Sequence, residues 1–379
     1  MDEMQRQTAV IEDAKRFAEE KIRPSARRFD ERGALDRDLI ETLAEKRFLL
    51  AGLPEEYGGL GLDPLHYGLL TETIGKACCS TRGLITVQCS LAGETILKWG
   101  SEAQKRHWLP LMAKGRKIGA FALTEAEIGS DARSVLTRYE EDGGDYTLNG
   151  RKRWASFGDI ADFFLVFAAR DGRVTAFIVE RGMEGVSTRR MSGLLAARAS
   201  HIAEIELRNV VVPRGNVLGK PGGGFPYVAG TSLDHGRYSI AWAGVAVAQE
   251  CVDAMVRYAR SRKQFGKRIA EFQMVQGMIG NAVAKTHAAR ALCVHAAGLR
   301  KTGEEEAVTM TVIAKYFSSR VAVEVAGDAV QVHGGNGCIN EYPVERLFRE
   351  AKTLEIIEGT SQILQQMIAK YGLRKYSFR

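Results

Sequence analysis

The 379-residue chain lacks the patterns of an exported or membrane protein. Residues 1–6 contain no apolar core like that of a signal peptide, and no apolar run is long enough to span a bilayer. Internal repeats and low-complexity segments are also missing. Hydrophobic residues (45%) and charged residues (26%) are at ordinary globular levels. We therefore expect a folded, cytoplasmic protein with a large core and no membrane contact.

Patterns typical of metal sites are missing as well. The six cysteines form no Cys-x-x-Cys pair and no Cys/His cluster with the spacing of a zinc site. Scattered cysteines in a cytosolic chain are more often small buried apolar residues than ligands or disulfides. We expect no metal.

Positive charge exceeds negative charge, with a net charge of +7 and a pI of about 9.0, but the basic residues do not form one tract. Such an excess is typical of a soluble, slightly basic surface. It also attracts anionic ligands, such as a phosphorylated cofactor, coenzyme A or an acidic partner protein. The dispersal of the basic residues disfavours nucleic acid as a partner.

The hydrophobic period divides the chain into three parts. Residues 1–117 have helical spacing, residues 118–222 alternate with a period of two, and residues 223–379 return to long helical stripes. The pattern predicts an α+β fold, mostly α, with an N-terminal helical domain, a central antiparallel β-sandwich or barrel and a C-terminal helical bundle. The predicted strands of the central domain are 145–150, 163–168, 175–179 and 201–207.

One carboxylate has neighbours that suit a catalytic base. Glu358 follows Ile356 and Ile357, and an apolar wall would desolvate the carboxylate and raise its pKa towards neutrality. Gly359 allows a tight turn, after which Thr360 or Ser361 would cap the next helix. The alternative is an ordinary solvated carboxylate at a helix start.

The entrance to the β domain contains groups that suit a flat heteroaromatic ring. Thr124 and Ser156 supply hydroxyls and Trp154 supplies an aromatic slab. The alternatives are a core position for Trp154 and an ordinary turn at 130–131.

A second group of residues in the bundle suits a dinucleotide, although no GxGxxG motif is present. Arg262 offers a fork of donors for pyrophosphate, and the glycines of 331–337 would allow backbone N–H groups to approach phosphate. Gln273 and Gln362 supply further polar groups. Alone, Arg262 would be interpreted as a solvated charge on a helix.

Taken together, these motifs make the chain resemble an acyl-CoA dehydrogenase over essentially its whole length. The motifs that carry the resemblance, in the family's order and spacing, are 54–61, 123–125, 129–131, 262–266, 331–337 and 358–362. The resemblance implies a four-helix C-terminal bundle, FAD as cofactor and a homo-oligomer, either a dimer or a dimer of dimers in which neighbouring subunits share flavin contacts.

The resemblance also implies a role for each matching residue. Glu358 would be the catalytic base, and Ser130, Arg237 and Gly359 would meet the substrate. The cofactor would be held by Phe121, Leu123, Thr124, Trp154, Ser156, Arg262, Phe265, Gln273, Gln331, Gly334, Gly335, Thr360 and Gln362. In the implied reaction, Glu358 removes the α-proton of an acyl thioester while hydride leaves the β-carbon for flavin N5. An electron-transfer flavoprotein or oxygen would then reoxidise the flavin.

Two stretches depart from the family pattern, at 124–131 and 154–157, and both adjoin the expected flavin and thioester.

Three other stretches, 78–83, 236–242 and 354–359, resemble dehydrogenases that act on carrier-protein thioesters in hydroxymalonyl or methoxymalonyl extender-unit synthesis. Because carrier proteins are acidic, the net charge agrees with this interpretation. A catabolic short- or branched-chain acyl-CoA dehydrogenase is the alternative. Flavin monooxygenases or oxidases of the same fold are a further alternative, but typically lack the glutamate.

Overall fold

The computed structural model describes residues 2–377. The predicted order of a helical part, a β part and a second helical part is confirmed. The first part contains seven α-helices, and a π-helical segment, Thr86–Gly93, joins the fifth to the sixth. The helices are α1 (Glu3–Phe17), α2 (Ala26–Arg32), α3 (Arg37–Glu45), α4 (Pro64–Ala77), α5 (Cys79–Ile85), α6 (Glu94–Trp99) and α7 (Glu102–Ala113).

The β part is one sheet that contains parallel as well as antiparallel strand pairs. Its strands are β1 (Gly119–Ala122), β2 (Arg138–Asp142), β3 (Asp145–Ala155), β4 (Phe163–Arg170), β5 (Arg173–Glu180), β6 (Val186–Arg190), β7 (Ala203–Val212) and β8 (Val217–Leu218). The order is β6-β7-β3-β2-β4-β5-β8, and both β1 and β2 pair with β4 in parallel. The last predicted strand begins at Ala203 rather than at 201, because His201 has a left-handed backbone (φ 45°).

Strand β4 joins two hydrophobic cores. Phe163, Leu165 and Phe167 pack into the core shared with the helices, whereas the alternate residues Phe164 and Val166 pack inside the sheet. Because successive side chains point to opposite faces, a strand buried on both sides must be apolar throughout. This explains the continuous apolar run of 163–169.

The second helical part is built around one long helix. Its helices are α8 (Gly230–Ser261), α9 (Gln273–Thr302), α10 (Ala307–His333), α11 (Val344–Leu354) and α12 (Ser361–Lys375), with a short hairpin of β9 (Lys263–Gln264) and β10 (Lys267–Arg268) after α8. Helix α8 packs against α4, α9, α10 and α11. The segment Gly224–Ser261 is long and apolar enough to cross a membrane, but 83% of its most apolar window is buried inside the protein, as in a core helix.

The contact between α8 and α10 depends on a glycine. A Cβ at Gly244 would lie 2.6 Å from the carbonyl carbon of Ser318 and 2.7 Å from its oxygen. These are backbone atoms of a packed helix, so the added methyl group cannot be accommodated by a side-chain rotation.

We therefore expect Gly244→Ala to reduce the free energy of unfolding by about 1–3 kcal/mol, because the two helices must separate. Gly298→Ala is the matched control, since nothing lies within 4 Å of a Cβ at Gly298. It should change stability little or add up to about 1 kcal/mol through helix propensity. Chemical denaturation measures both, and equal stabilities would contradict the close-packing argument.

Candidate active site

Glu358 lies in a strained turn between α11 and α12. Its backbone is left-handed (φ 57°), and so is that of Gly359 (φ 103°). Thr360 then caps α12, its hydroxyl accepting a hydrogen bond from the Ile363 N–H at 3.4 Å, so one of the two predicted caps is confirmed. A left-handed non-glycine residue costs free energy and is often found at functional sites.

One oxygen atom of the Glu358 carboxylate is enclosed without a hydrogen-bond partner among the described residues. This atom, Oε2, has no accessible surface and makes no hydrogen bond with any residue in the described range 2–377. A Cβ at Gly236 would lie only 2.6 Å from this oxygen and 2.7 Å from Cδ2 of Leu91. Gly236 on α8 and Leu91 on the π-helical segment therefore form part of the wall around the carboxylate.

The prediction that Ile356 and Ile357 form an apolar wall around the Glu358 carboxylate is wrong. Ile356 and Ile357 are 54% and 41% exposed. Because the backbone is left-handed at Glu358, its side chain points in a different direction from those of its sequence neighbours. The carboxylate is therefore desolvated by α8 and the π-helical segment instead.

Two basic side chains hold the main chain at Glu358 and Gly359. Nε of Arg237 donates to the carbonyl of Glu358 at 2.9 Å, and Nζ of Lys315 donates to the carbonyl of Gly359 at 2.8 Å. Lys315 has no accessible surface, and burial lowers its pKa to about 7. Arg237, predicted to meet substrate, therefore also positions the turn that carries Glu358.

Burial raises the pKa of Glu358 to about 7, and the nearby charges of Arg237, Lys315 and Arg82 oppose the rise. A carboxyl group with such a pKa can be ionised before a reaction and accept a proton during it at neutral pH. The free Oε2 atom is available to receive the proton, since neither of the two cations that hold the turn binds it.

The structure brings the predicted ring-binding residues of the β part together. The N–H of Arg153 donates to the carbonyl of Thr124 at 2.8 Å, which places Thr124 beside Trp154. A register shift between Lys152 and Ala155 and the left-handed backbone of Trp154 (φ 63°) interrupt β3 at this point. Trp154 is 50% exposed, so its interpretation as a core residue is wrong.

A buried ion pair supports this edge. Nζ of Lys152 lies 2.7 Å from Glu125, whose carboxylate also accepts hydrogen bonds from the N–H and hydroxyl of Thr137. Leu123 is buried and its carbonyl accepts from Lys152 at 3.2 Å. Phe121 is half-buried against Phe167 and Ser156 is half-buried, whereas Ser130 is exposed in the following loop.

The glycine turn that was predicted to bind phosphate lies beside the end of α8. Tyr258 near the end of α8 stacks on His333, with ring centroids 4.2 Å apart, and its hydroxyl accepts from Asn336 at 2.9 Å. These contacts place the Gly334–Cys338 turn beside the end of α8, which Arg262 follows. Within the described part of the chain, no atom lies within 4 Å of a Cβ at Gly334 or Gly335, so this backbone is open to a ligand.

Several of the predicted residues project from the surface of this single chain. Phe265 is 93% exposed at the tip of the β9–β10 hairpin. Arg262, Gln273 and Gln331 are exposed, as is Gln362 in the first turn of α12. The structure thus forms three groups of predicted residues: the base, the ring edge on the sheet and the open glycine turn. The open turn with its arginine suits pyrophosphate, and the exposed tryptophan beside two hydroxyls suits a flavin ring.

Sequence reasoning missed three contributors to the site. Arg82 and Gly236 lie in the stretches 78–83 and 236–242, which were singled out for the substrate and not for contacts with Glu358, and Lys315 lies in no motif. Lys315 carried one available signal, because it is a lysine within the apolar stripe of α10. A cation on a core face usually has a specific buried partner.

Replacing Gly236 by Ala should displace the Glu358 carboxylate. The new methyl group would overlap the carboxylate of Glu358, so we expect kcat with acyl thioesters to fall about 100-fold or more while flavin remains bound. Gly230→Ala on the same helix is the control, since its nearest neighbour would be 3.8 Å away. Stopped-flow flavin reduction measures both, and an unchanged rate in Gly236→Ala would contradict the geometry.

Removing the charge of Lys315 should change the pH dependence. Because this charge lowers the pKa of Glu358, its loss in Lys315→Met should raise that pKa further. The acid limb of the kcat/KM profile should then move to higher pH, with a loss at pH 7 of roughly 3- to 10-fold. Lys285→Met removes an exposed lysine paired with Glu324 and should not move the limb. If Lys315 had only a structural role, its replacement would lower kcat/KM at every pH and leave the pKa of the acid limb unchanged.

Comparison with known proteins agrees with the geometry. Models of the N-terminal, middle and C-terminal domains of acyl-CoA dehydrogenases match residues 4–116, 120–210 and 222–373. A 3-(aryl)acrylate reductase of Clostridium sporogenes is 37% identical over 95% of this chain and 97% of its own. The butyryl-CoA dehydrogenase structure of Megasphaera elsdenii has a TM-score of 0.94 and 34% identity, covering 99% of this chain and 100% of its own.

A more distant solved structure is FkbI, which serves biosynthesis of the methoxymalonyl extender unit of the Fk520 polyketide. It is 31% identical, with a TM-score of 0.88, over 95% of this chain and 99% of its own. The matches along the whole length confirm the predicted fold class. The chain therefore belongs to the acyl-CoA dehydrogenase family, FAD-dependent oxidoreductases that act on the CH–CH bond of acyl thioesters.

Proposed function

We propose that this enzyme oxidises a small acyl group held as a thioester and that Glu358 is its base. The observation that carries the proposal is the enclosed, unpartnered Oε2 of Glu358 in surroundings that raise the pKa of the carboxyl group to about 7. Glu358 takes the α-proton, and the β-carbon loses a hydride, so that a carbon–carbon double bond forms beside the thioester carbonyl. FAD, when bound, supplies the acceptor for that hydride.

The other residues of the site orient these reactants. Thr124, Trp154 and Ser156, with Phe121 and Leu123 behind them, would hold the flavin ring. Arg262 and the open glycine turn would hold the pyrophosphate and adenine end, together with Phe265, Gln273, Gln331, Gly334 and Gly335. Thr360 and Gln362 would contact the cofactor next to the base, and Ser130, Arg237 and Gly359 would face the substrate. Arg237 and Lys315 keep the turn in place while the Glu358 side chain gains and loses its proton.

The proposal includes a second copy of the chain. Phe265 and Met274 are 93% and 84% exposed at one end of the bundle, and large apolar side chains at this exposure are typical of contact surfaces. A homodimer or a dimer of dimers would cover them and complete the cofactor site.

We also propose three domains at 1–117, 118–222 and 223–379, and a cytoplasmic location.

We propose a carrier-protein thioester as the substrate form. This choice is supported by the stretches 78–83, 236–242 and 354–359, by the 31% identity to FkbI and by the net charge of +7. The second candidate is a catabolic acyl-CoA, which is favoured by the greater similarity to butyryl-CoA dehydrogenase. Anaerobic loss of flavin absorbance with one panel of acyl groups, presented on both carriers, distinguishes the two. Faster reduction by the carrier-protein set supports the first candidate, and faster reduction by acyl-CoA the second.

Glu358→Gln tests the base directly. We expect the variant to bind FAD but to be reduced by substrate about 100- to 10,000-fold more slowly, because an amide cannot accept the α-proton. Glu355→Gln changes a carboxylate in the same turn that pairs with Lys352, and it should be reduced at nearly the wild-type rate. Flavin reduction in Glu358→Gln at the wild-type rate would remove Glu358 from the mechanism.

A further inference from the structure

An exposed aromatic pair lies where α6 meets the start of α8. Tyr227, in the segment Gly224–Ala229 that leads into α8, is 57% exposed. Its ring lies against that of Trp99 at the end of α6, with the ring centroids 5.5 Å apart. The indole of Trp99 is fixed in place, because its Nε1 donates to the hydroxyl of Thr231 at 2.8 Å. A large aromatic side chain that is held in place and left exposed is typical of a protein contact surface.

Two basic side chains lie against the aromatic rings of this region. Nζ of Lys98 lies 5.8 Å from the centroid of the Trp99 ring. Cζ of Arg133 lies 5.2 Å from the centroid of the Phe225 ring, two residues before Tyr227. Both distances are in the range of a cation–π contact, so the positive charges are held beside the exposed rings.

Two further basic residues continue the same surface. Cδ of Arg173 lies 3.3 Å from the position of a Cβ at Gly222, and the carbonyl of Lys220 accepts from the N–H of Gly223 at 2.9 Å. A Cβ at Gly223 would lie 3.1 Å from the ring of Tyr227, so these residues adjoin the aromatic pair. All four basic residues are exposed. We call the whole set the aromatic–basic patch; its members are Lys98, Trp99, Arg133, Arg173, Lys220, Phe225 and Tyr227.

The positive charges of the aromatic–basic patch are not paired within the described chain. Across residues 2–377, none of its four basic side chains lies within ion-pair distance of a carboxylate, whereas the neighbouring Lys105 lies 2.9 Å from Glu102. Lys98 acts electrostatically on the half-buried Glu94 without forming an ion pair, and Asp131 is an exposed carboxylate in the loop before Arg133. The patch therefore keeps an excess of positive charge, which attracts an acidic partner.

The aromatic–basic patch adjoins the path to the base. Helix α8 begins directly after the segment that carries Tyr227, and Gly236, which contacts the Glu358 carboxylate, lies about 9 Å further along that helix. Arg133 is in the same loop as Ser130, which is predicted to meet substrate. The phosphopantetheine arm of a carrier protein is longer than this distance. An acyl group on such an arm can therefore reach Glu358 from a partner that is bound to the patch.

We propose that the aromatic–basic patch is the docking surface for an acidic carrier protein that presents the acyl thioester to the enzyme. This inference rests on the proposed dehydrogenation of a carrier-bound thioester and assigns the surface that receives the carrier. The unpaired basic residues steer and orient the acidic partner, and Tyr227 supplies an aromatic anchor. A protein fits this surface better than the nucleotide of coenzyme A, because Tyr227 projects outwards whereas small ligands are normally held in concave sites.

The test compares one acyl group on three supports. The acyl group that reduces the wild-type flavin fastest is presented to the FAD-loaded enzyme on a phosphopantetheinylated carrier protein, on coenzyme A and on pantetheine. We expect Arg133→Glu to lower kcat/KM with the carrier about 10- to 100-fold, mainly through KM, because a negative charge then faces an acidic partner. The rate with the pantetheine thioester, which has neither phosphate nor protein, should stay unchanged.

A second variant and a control separate charge from packing. Tyr227→Ala should lower kcat/KM with the carrier about 10-fold through loss of the anchor, again without an effect on the pantetheine thioester. Arg37→Glu makes the same charge change as Arg133→Glu on a side chain of α3 that is 89% exposed, and it should keep the wild-type rate with the carrier. Added salt should slow the wild type with the carrier more than it slows Arg133→Glu.

The outcomes separate this inference from the one beneath it. Unchanged carrier kinetics in Arg133→Glu and Tyr227→Ala would overturn the docking surface and leave the dehydrogenation intact. An equal loss with pantetheine would give the patch a role in the site itself, and an equal loss with coenzyme A would assign it to phosphate binding; either would overturn the inference. If none of the three thioesters reduces the wild-type flavin, the dehydrogenation is refuted.

The carrier itself provides a test that does not depend on the folding of any enzyme variant. A carrier protein whose exposed carboxylates are replaced by amides should be a poorer substrate for the wild-type enzyme, with a higher KM and the same kcat. An unchanged KM would overturn the docking surface. Reduction by coenzyme A and pantetheine thioesters but not by any carrier would refute the carrier as the substrate form, and this inference with it.

Discussion

The arrangement depends on an ionisable carboxylate, that of Glu358, whose Oε2 atom is enclosed but has no hydrogen-bond partner in residues 2–377. A buried carboxylate is normally given hydrogen bonds or a cation at its own oxygen atoms, and either would stabilise its charge and weaken it as a base. Here the cations bind the main chain instead. Arg237 holds the carbonyl of Glu358 and Lys315 holds that of Gly359, so Oε2 keeps its basicity while the turn is held from both sides.

Close packing of α8 makes this enclosure possible. Gly236 lets the carboxylate approach the helix, and eight residues later Gly244 lets α10 approach it. Lys315 lies on α10, so the glycine contact that brings the two helices together also brings the lysine to the turn. On the other side, Trp242 fills the position beside Gly68 of α4, where a Cβ would come within 2.2 Å of the indole ring. Stability and active-site geometry therefore depend on the same helix.

The sequence allowed prediction of features that depend on local pattern and on motifs. The three-part order follows from the hydrophobic period, and the motif around Glu358 predicts a base that still has to be tested. The surroundings of Glu358 could not be predicted, because they come from residues 236 and 91, which are distant in the chain. The isoleucine wall failed for this reason: adjacent residues in a left-handed turn do not share an environment. Trp154 shows a related limit, since a bulge turns a residue that alternation would bury towards solvent.

The main-chain character of the two cationic contacts has an evolutionary consequence. Arg237 and Lys315 recognise carbonyl groups, which every amino acid possesses, so the shape of this turn does not require a glutamate at position 358. A descendant could lose the carboxylate, or acquire one on a neighbouring helix, and still retain a folded scaffold with its ligand surfaces in place. The chemistry of the site can therefore change in steps that do not each endanger the fold.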